Sequence, residues 1–327
     1  MSSLVAIAAS NNILIGPNGN QFTNNNNIPK ELAIFAIYHS AQYDGKPSDK
    51  YNLSVSDFLT PMRKLIYKIQ NPDIGSTAPI DVAQIMKSAK GTSLHTGMET
   101  ALEWYGSYKQ EIRSEKQLLG VNISGKFDMI DLETNILKDL KHVSNFAYKR
   151  LQEDIKNLVN IDGTMSLKDK FSYIPTYTKF QFQLSAYHWL NSELNLEPYG
   201  DIVFALNDGG GMERYPIDVM HRFPLLLGEE VEEYILNHIA TLHRHLDNGT
   251  LPLCSDEERG YAPGTWKLQR MGSTGKMATV RGSKCSSAAE LANFIATKGR
   301  SGDVESITEP KYLLCAYCNV KSVCDQV

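Results

Sequence analysis

No stretch of this sequence approaches the roughly 20 consecutive apolar residues that a membrane-spanning helix needs. No basic residue precedes the apolar opening MSSLVAIAASNNILIG, so no secretory signal is expected and an intracellular, cytoplasmic protein is. A strong net charge is missing as well. With 33 Lys and Arg against 37 Asp and Glu the balance is −4, which gives no global signature of a nucleic-acid binder, so any such contact has to come from local patches. Cysteine is scarce. Five in 327 residues is an odd count in a long chain, which excludes a disulfide framework and leaves clustered thiols for metal binding. Internal repeats, a clear interdomain linker and helicase motifs are absent, so any motor would be a separate protein. Asp208-Gly209-Gly210-Gly211 lacks the Lys-Ser/Thr of a phosphate-binding loop and reads as a flexible loop.

The remaining composition is ordinary: 42% hydrophobic and 21% charged, on a length that buries one large core or two modest ones. Residues 1–50 read as short apolar strands and loops, with Asn24 to Asn27 a polar loop. A helix is expected to start near Ser54-Val55-Ser56-Asp57, where Ser or Asp can cap free N–H groups. Further helices are expected over about 80–88 and 93–108. Leu118 to Ile123 and Gly125 to Ile130 read as strands with glycine at their turns, and Ile136 to Lys141 as another. Residues 144–158 and 165–170 are polar and charged, a helical or mobile insertion. A helix over 177–193, a strand over 201–206 and a helix over 229–246 follow. In the last, Val231, Ile235, Ile239, Leu242 and Leu246 keep helical spacing. Residues 266–280 read as a hairpin and 286–297 as a helix.

The chemistry centres on Asp139-Leu140-Lys141. Residues two apart on a strand project from one face, so Asp139 and Lys141 point into one site. Asp128, eleven residues earlier, comes alongside if the two strands form a hairpin. Two carboxylates suit Mg²⁺ or Mn²⁺, hard cations that polarise a phosphate and acidify a bound water. Lys141 can orient or deprotonate that water, or stabilise charge on the phosphorane-like transition state. A lone Asp-x-Lys is more often a solvated ion pair, a lone helical His95 more often structural, and Gln183 four residues before Tyr187 more often plain packing.

Their order is what separates the two readings. Gly91 to His95, Gly125 to Asp128, Asp139 to Lys141 and Gln183 to Tyr187 follow one another as G-x-x-x-H, G-x-x-D, D-x-K and Q-x-x-x-Y. This series resembles the RecB-like branch of the PD-(D/E)xK nuclease superfamily, over roughly residues 52–324. Ser54 to Leu59 with Arg63-Lys64 resembles its N-terminal helix. The resemblance implies an α/β fold, a restriction-endonuclease-like mixed β-sheet core flanked by helices. It divides the chain into an extension (1–50), a nuclease core (51–250) and a hairpin–helix segment with a cysteine cluster (251–327). It implies His95, Asp128 and Asp139 as metal ligands with the Leu140 carbonyl nearby, Lys141 as the catalytic lysine, and Gln183 and Tyr187 as positioning groups. The implied activity is Mg²⁺- or Mn²⁺-dependent cleavage of single- or double-stranded DNA, as an exonuclease, alongside a separate helicase or recombination protein. Two alternatives stay open: a non-catalytic DNA-binding or assembly protein with a zinc staple, and the same chemistry on RNA.

Cys315-x2-Cys318-x5-Cys324 is the most specific local spacing in the chain. Cys254, in a turn-prone stretch after a long helix, is the expected fourth ligand, and Cys285 a bystander. Nucleases of the AddB and CRISPR-adaptation types end in a similar C-x2-C-x5-C that joins an upstream cysteine on a 4Fe–4S cluster. Here that upstream position reads Thr60-Pro61-Met62-Arg63-Lys64, which has no cysteine. The layout from Cys254 onward is similar to a bacteriophage subfamily, which implies a host-cell cytoplasm. Four thiolates suit a 4Fe–4S cluster or Zn²⁺, a structural staple in either case.

Lys267, Arg270, Lys276, Arg281 and Lys284 form the most basic stretch, with no acidic residue among them, and phosphate contact weighs evenly against a solvated face. His238, His243 and His245 lack cysteine or acidic partners at ligand spacing, so surface or capping roles are expected.

Overall fold

A computed structural model describes the chain except residues 1–5, 9–12, 16–20, 42–48, 73–79, 162, 207–217, 273–274, 316–317 and 327. The Asp208 to Gly211 loop therefore lies outside the described residues. The chain forms two compact units, Met1–Leu251 and Pro252–Val327.

In the first unit, strands β1 (Ala6–Ala8), β2 (Ile13–Ile15) and β3 (Gln21–Thr23) precede a helix that the sequence reading missed, α1 (Lys30–Ala41). Strand β4 (Asn52–Ser54) leads into a 3₁₀ helix at Val55–Leu59, where a helix start was expected. Asp57 supplies the capping contact here and the Ser54 side chain does not: Ser54 donates from its N–H and its hydroxyl to one Asp57 carboxylate oxygen, at 2.8 and 2.7 Å. After α2 (Met62–Gln70), β5 (Ile80–Asp81) returns to pair with β3, and α3 (Val82–Tyr105) follows as one 24-residue helix. The gap expected between two separate helices, at about residues 89–92, does not occur. Val82 and Ala89 of its first half join Leu14, Phe22, Ala33, Ala36 and Ile37 in a small core, and that burial outweighs the weak local propensity.

The next strands build two sheets. They are β6 (Tyr108–Gln110), β7 (Arg113–Leu118), β8 (Val121–Lys126), β9 (Met129–Asp131) and β10 (Ile136–Val143). Leu119 and Gly120 join β7 to β8 with φ of 51° and 77°, the left-handed pair that a two-residue hairpin turn requires. Helices α4 (Asn145–Asn157), α5 (Leu167–Tyr173) and α6 (Pro175–Leu190) then cross over to β11 (Tyr199–Leu206), which runs parallel to β10. Strand β12 (Asp218–Pro224) and α7 (Gly228–Asp247) complete the unit. The larger sheet has the order β12-β11-β10-β9-β6 and is mixed, with β10 and β11 its parallel pair; the smaller has the order β4-β8-β7. This is the mixed α/β architecture that was expected.

Helix α6 lies in the main core and carries Phe182, Leu184, Ala186 and Trp189 into it. Its N-terminus is held from α4: the Asp154 carboxylate accepts from the Thr176 and Tyr177 N–H groups at 2.7 and 2.9 Å. Val231, Ile235, Ile239 and Leu242 of α7 are buried, as their spacing requires. His238 departs from its expected surface role. Its ring packs edge-on against Phe58 at 5.2 Å, and burial pushes its pKa down to about 4. His243 and His245 hydrogen-bond Lys50 O and Thr250 Oγ1 near the helix end.

In the second unit α8 (Asp256–Arg259) precedes β13 (Tyr261–Ala262). The expected hairpin is β14 (Thr265–Met271) with β15 (Met277–Thr279), followed by α9 (Ala288–Lys298), β16 (Val304–Thr308) and β17 (Lys311–Tyr312). Its fully buried apolar residues, among those described, are Leu268, Leu291 and Val320, a small core for its length.

Candidate active site

Strand pairing alone aligns three carboxylates. Met129 pairs with Lys138 of β10 on one side and with Gln110 of β6 on the other. Continued by one residue, the pairing sets Asp128 beside Asp139 and beside Glu111. The second neighbour is fixed by a backbone bond, Glu111 N–H to Asp128 O at 3.0 Å. The first is fixed by Asp128 Oδ2, which accepts from the Leu140 N–H at 2.7 Å. The sequence reading placed Asp128 within a strand. It sits instead at the bend between β8 and β9, where the chain leaves one sheet for the other.

His95 reaches this row from the second half of α3. Its Nδ1 lies 3.6 Å from Asp128 Oδ1. One ligand atom each from His95, Glu111 and Asp128 lie within 4.8 Å of one another. Lys141 projects two residues beyond Asp139 and forms an ion pair with it at 2.6 Å. From α6, Gln183 Nε2 donates to Asp139 Oδ1 at 3.3 Å and to the Tyr187 hydroxyl at 3.0 Å. The structure therefore joins His95, Asp128, Asp139, Leu140, Lys141, Gln183 and Tyr187 in one connected network.

Charge in this network is frustrated. Asp139 is 1% exposed. Burial and the Asp139 charge push the Asp128 pKa up to about 7, against a smaller opposing pull from Lys141. Burial pushes Tyr187 up to about 12, with Asp139 adding to it, so the phenol keeps its proton. Burial lowers His95, which favours the neutral imidazole that a metal ligand must be. Burial opposes the Lys141 ammonium, but Asp139, Tyr187 and Asp128 outweigh it and raise its pKa. Lys141 is thus a fixed cation rather than a base. One neutral nitrogen beside carboxylates that repel one another is a donor set that fits a hard divalent cation.

Two groups here escaped the sequence reading. Glu111 stands in a short loop with φ of 50°, and only the pairing of β6 with β9 brings it to Asp128. Lys179 lies one helical turn before Gln183. Burial lowers its pKa, and the neighbouring Lys141 and Lys64 ammonium groups lower it further, so three lysines share one region.

The two motif glycines differ. A Cβ on Gly125 would fall 2.7 Å from Leu190 Cδ1 and 3.0 Å from Tyr187, so glycine lets α6 close onto β8. A Cβ on Gly91 would meet nothing nearer than His142 Cβ at 3.9 Å. Gly125→Ala should cost about 1–3 kcal/mol of stability and displace Tyr187. Gly91→Ala should add about 0.5–1 kcal/mol, as alanine does inside a helix. Denaturant unfolding of both variants checks the opposite signs.

No protein-family model matches the chain, and no curated protein matches it. Among solved structures, the crystal structure of SSO0001 is similar at 16% identity and a TM-score of 0.39, over 64% of this chain and 84% of that one. A phage-related exonuclease from Haemophilus somnus 129PT is similar at 13% identity and a TM-score of 0.31, over 50% of this chain and 71% of that one. At these TM-scores neither likeness assigns this chain a fold or an activity.

In the second unit the cysteine segments meet through backbone. Gln326 clamps Cys254 from both sides, accepting from its N–H at 2.8 Å and donating to its carbonyl at 2.9 Å. Cys318 N–H donates to Cys315 O at 3.2 Å, and Arg259 Nη2 donates to the Gln326 carbonyl at 2.8 Å. The sulfurs themselves are not gathered: among the described residues no three lie within 4.8 Å of one another. Cys285 is a strand partner, exchanging two backbone bonds with Trp266. In the basic hairpin Arg270 is committed to Asp303 by two bonds of 2.6 and 2.7 Å, which removes it from any phosphate-binding row.

No helix among the described residues is long and apolar enough to cross a membrane.

Proposed function

We propose that this chain is a metal-dependent DNA nuclease of the RecB-like PD-(D/E)xK type, of phage origin, working as an exonuclease in replication, recombination or processing. The observation that carries the reading is the network itself. Four motifs far apart in sequence supply His95, Asp128, Asp139, Lys141, Gln183 and Tyr187 to one cluster of ion-pair and hydrogen-bond contacts.

In this reading His95, Asp128 and Asp139, with the Leu140 carbonyl, hold the cation. Bound there, Mg²⁺ or Mn²⁺ supplies a Lewis acid for a phosphate oxygen and a more acidic water. Lys141 keeps its proton and offsets the negative charge that grows on the phosphate. Gln183 orients Asp139 and donates to the Tyr187 oxygen, which leaves the phenolic proton free to donate to a DNA phosphate. Lys179 lies close enough to Lys141 and Lys64 to feel both charges, and Lys179 and Lys64 would add positive charge near the site for a phosphate backbone. End-labelled single- and double-stranded DNA, incubated with Mg²⁺, Mn²⁺ or EDTA, tests the reading. Cleavage that needs the metal and starts from an end supports it. Tight DNA binding without cleavage in any divalent metal would replace it with a non-catalytic binding protein.

For the second unit we propose a 4Fe–4S cluster on Cys254, Cys315, Cys318 and Cys324, with Zn²⁺ as the alternative. The small apolar core supports a staple, since a short unit with little burial needs another source of stability. Cys318→Ser is expected to make Pro252–Val327 protease-sensitive and to remove visible absorbance and bound iron from anaerobically purified protein. A colourless protein with stoichiometric zinc would select the zinc form. A metal-free wild type with a protease-resistant second unit would refute the centre.

A further inference from the structure

The carboxylate row contains one member that no motif supplies. Glu111 lies in the two-residue link between β6 and β7, held by its own N–H on the Asp128 carbonyl. Its backbone is left-handed, with φ of 50°, a conformation glycine adopts freely and glutamate does not. The side chain nonetheless turns toward the cleft that His95, Met98, Glu99 and Leu140 line. A carboxylate oxygen of Glu111 forms an ion pair with Lys126, the last residue of β8, and Lys126 also acts electrostatically on Asp128. Lys126 and Glu111 are 39% and 29% exposed, so both can change partner without unpacking a core. One ring nitrogen of His95 and one carboxylate oxygen each of Glu111 and Asp128 already stand at mutual distances that one ion spans.

We infer that Glu111 is a further ligand of the divalent cation, and that the Lys126 ammonium occupies its carboxylate until the cation arrives. This rests on the metal-dependent reading of the site given above. Lys126 is an internal placeholder: it offsets part of the repulsion in the Glu111–Asp128–Asp139 row while the metal is absent, and it swings to solvent when the metal binds. The two residues therefore act on metal affinity with opposite signs. Removing Glu111 takes away a ligand, and removing Lys126 takes away a competitor.

The test is Mn²⁺ binding to the full chain, measured by calorimetry without DNA, for wild type, Glu111→Gln, Lys126→Gln and the double variant. Glu111→Gln should weaken Mn²⁺ binding by about 10-fold or more, the scale on which groups around a metal act. Lys126→Gln should tighten it by about 2- to 5-fold, the worth of one partly exposed ion pair. In the double variant the gain from Lys126→Gln should disappear. A tightening cannot come from misfolding, so the lysine variant guards against a trivial result. Wild-type affinity in Glu111→Gln, or an undiminished gain in the double variant, overturns the inference. If those variants bind Mn²⁺ like wild type while wild type still cleaves DNA, only this inference falls. If wild type binds no Mn²⁺, the nuclease reading falls with it.

Discussion

Lys141→Ala should lower metal-dependent DNA cleavage by about 10²–10⁴-fold, the range measured when one positioned catalytic group or transition-state donor is removed. DNA affinity should fall by less than 10-fold, because Lys141 is one cation among several and its service is to charge that appears during reaction. The same change has a second effect. Lys141 is the ion partner of Asp139, which is nearly fully buried beside Asp128. Removing one member of a buried pair leaves the other uncompensated, so the metal-free variant should be markedly less stable than wild type. Saturating Mg²⁺ restores that stability by replacing the lost positive charge, but it does not restore cleavage. Unfolding and single-turnover cleavage, measured with and without Mg²⁺ on one preparation, separate the two effects. Full cleavage in the variant, or stability that Mg²⁺ cannot rescue, would remove Lys141 from the site.

Asp128→Asn should raise the thermal stability of the metal-free protein at pH 8 by a few degrees, at about 2–4 °C for each kcal/mol in a domain of this size, while abolishing cleavage. The sign follows from linkage. Burial and the Asp139 charge lift Asp128 from an ordinary value of 3.8 to about 7, so the folded protein holds a proton that the unfolded chain has released. That contribution is complete below pH 3.8 and is lost as the pH rises through 7. Above pH 7 the folded site holds Asp128 and Asp139 as neighbouring anions. Asparagine keeps the oxygen that accepts from Leu140 N–H and removes the charge. Its advantage should be largest at pH 8 in EDTA and absent near pH 3. With Mg²⁺ the order reverses, since only wild type can use the ion. For the same reason, wild-type cleavage at limiting metal should increase as the pH is raised through 7. An Asp128→Asn protein less stable than wild type at pH 8 in EDTA would show that Asp128 is not strained by its neighbours.

Much of this site was legible in the sequence because spacing inside a single element survives folding. Asp139 and Lys141 share a strand face, and Gln183 and Tyr187 share a helix face, whatever the tertiary context. The stripe Val231–Ile235–Ile239–Leu242 was legible for the same reason. What the sequence did not show lies between elements. Glu111 meets Asp128 only through the β6–β9 pairing, and no local pattern announces a partner so far along the chain. Strand β7, Arg-Ser-Glu-Lys-Gln-Leu, has no apolar alternation, since it is the edge of a small sheet and needs none. The stretch 89–92, with Gly91 and Thr92, reads as a gap between two helices, yet α3 runs through it, carried by burial in its first half. Lys179 and Lys64 sit on different helices, and their closeness follows from packing rather than from any motif. His238 looked like its neighbours His243 and His245, although one position on the helix decides between core and solvent.

The measurement that meets the central claim most directly is anomalous diffraction from crystals of the full chain grown with Mn²⁺. A manganese peak bounded by His95, Asp128 and Asp139, absent from Asp128→Asn crystals grown alongside, is the predicted result. An empty cleft in crystals soaked to millimolar Mn²⁺, or a peak that persists unchanged in Asp128→Asn, would contradict it.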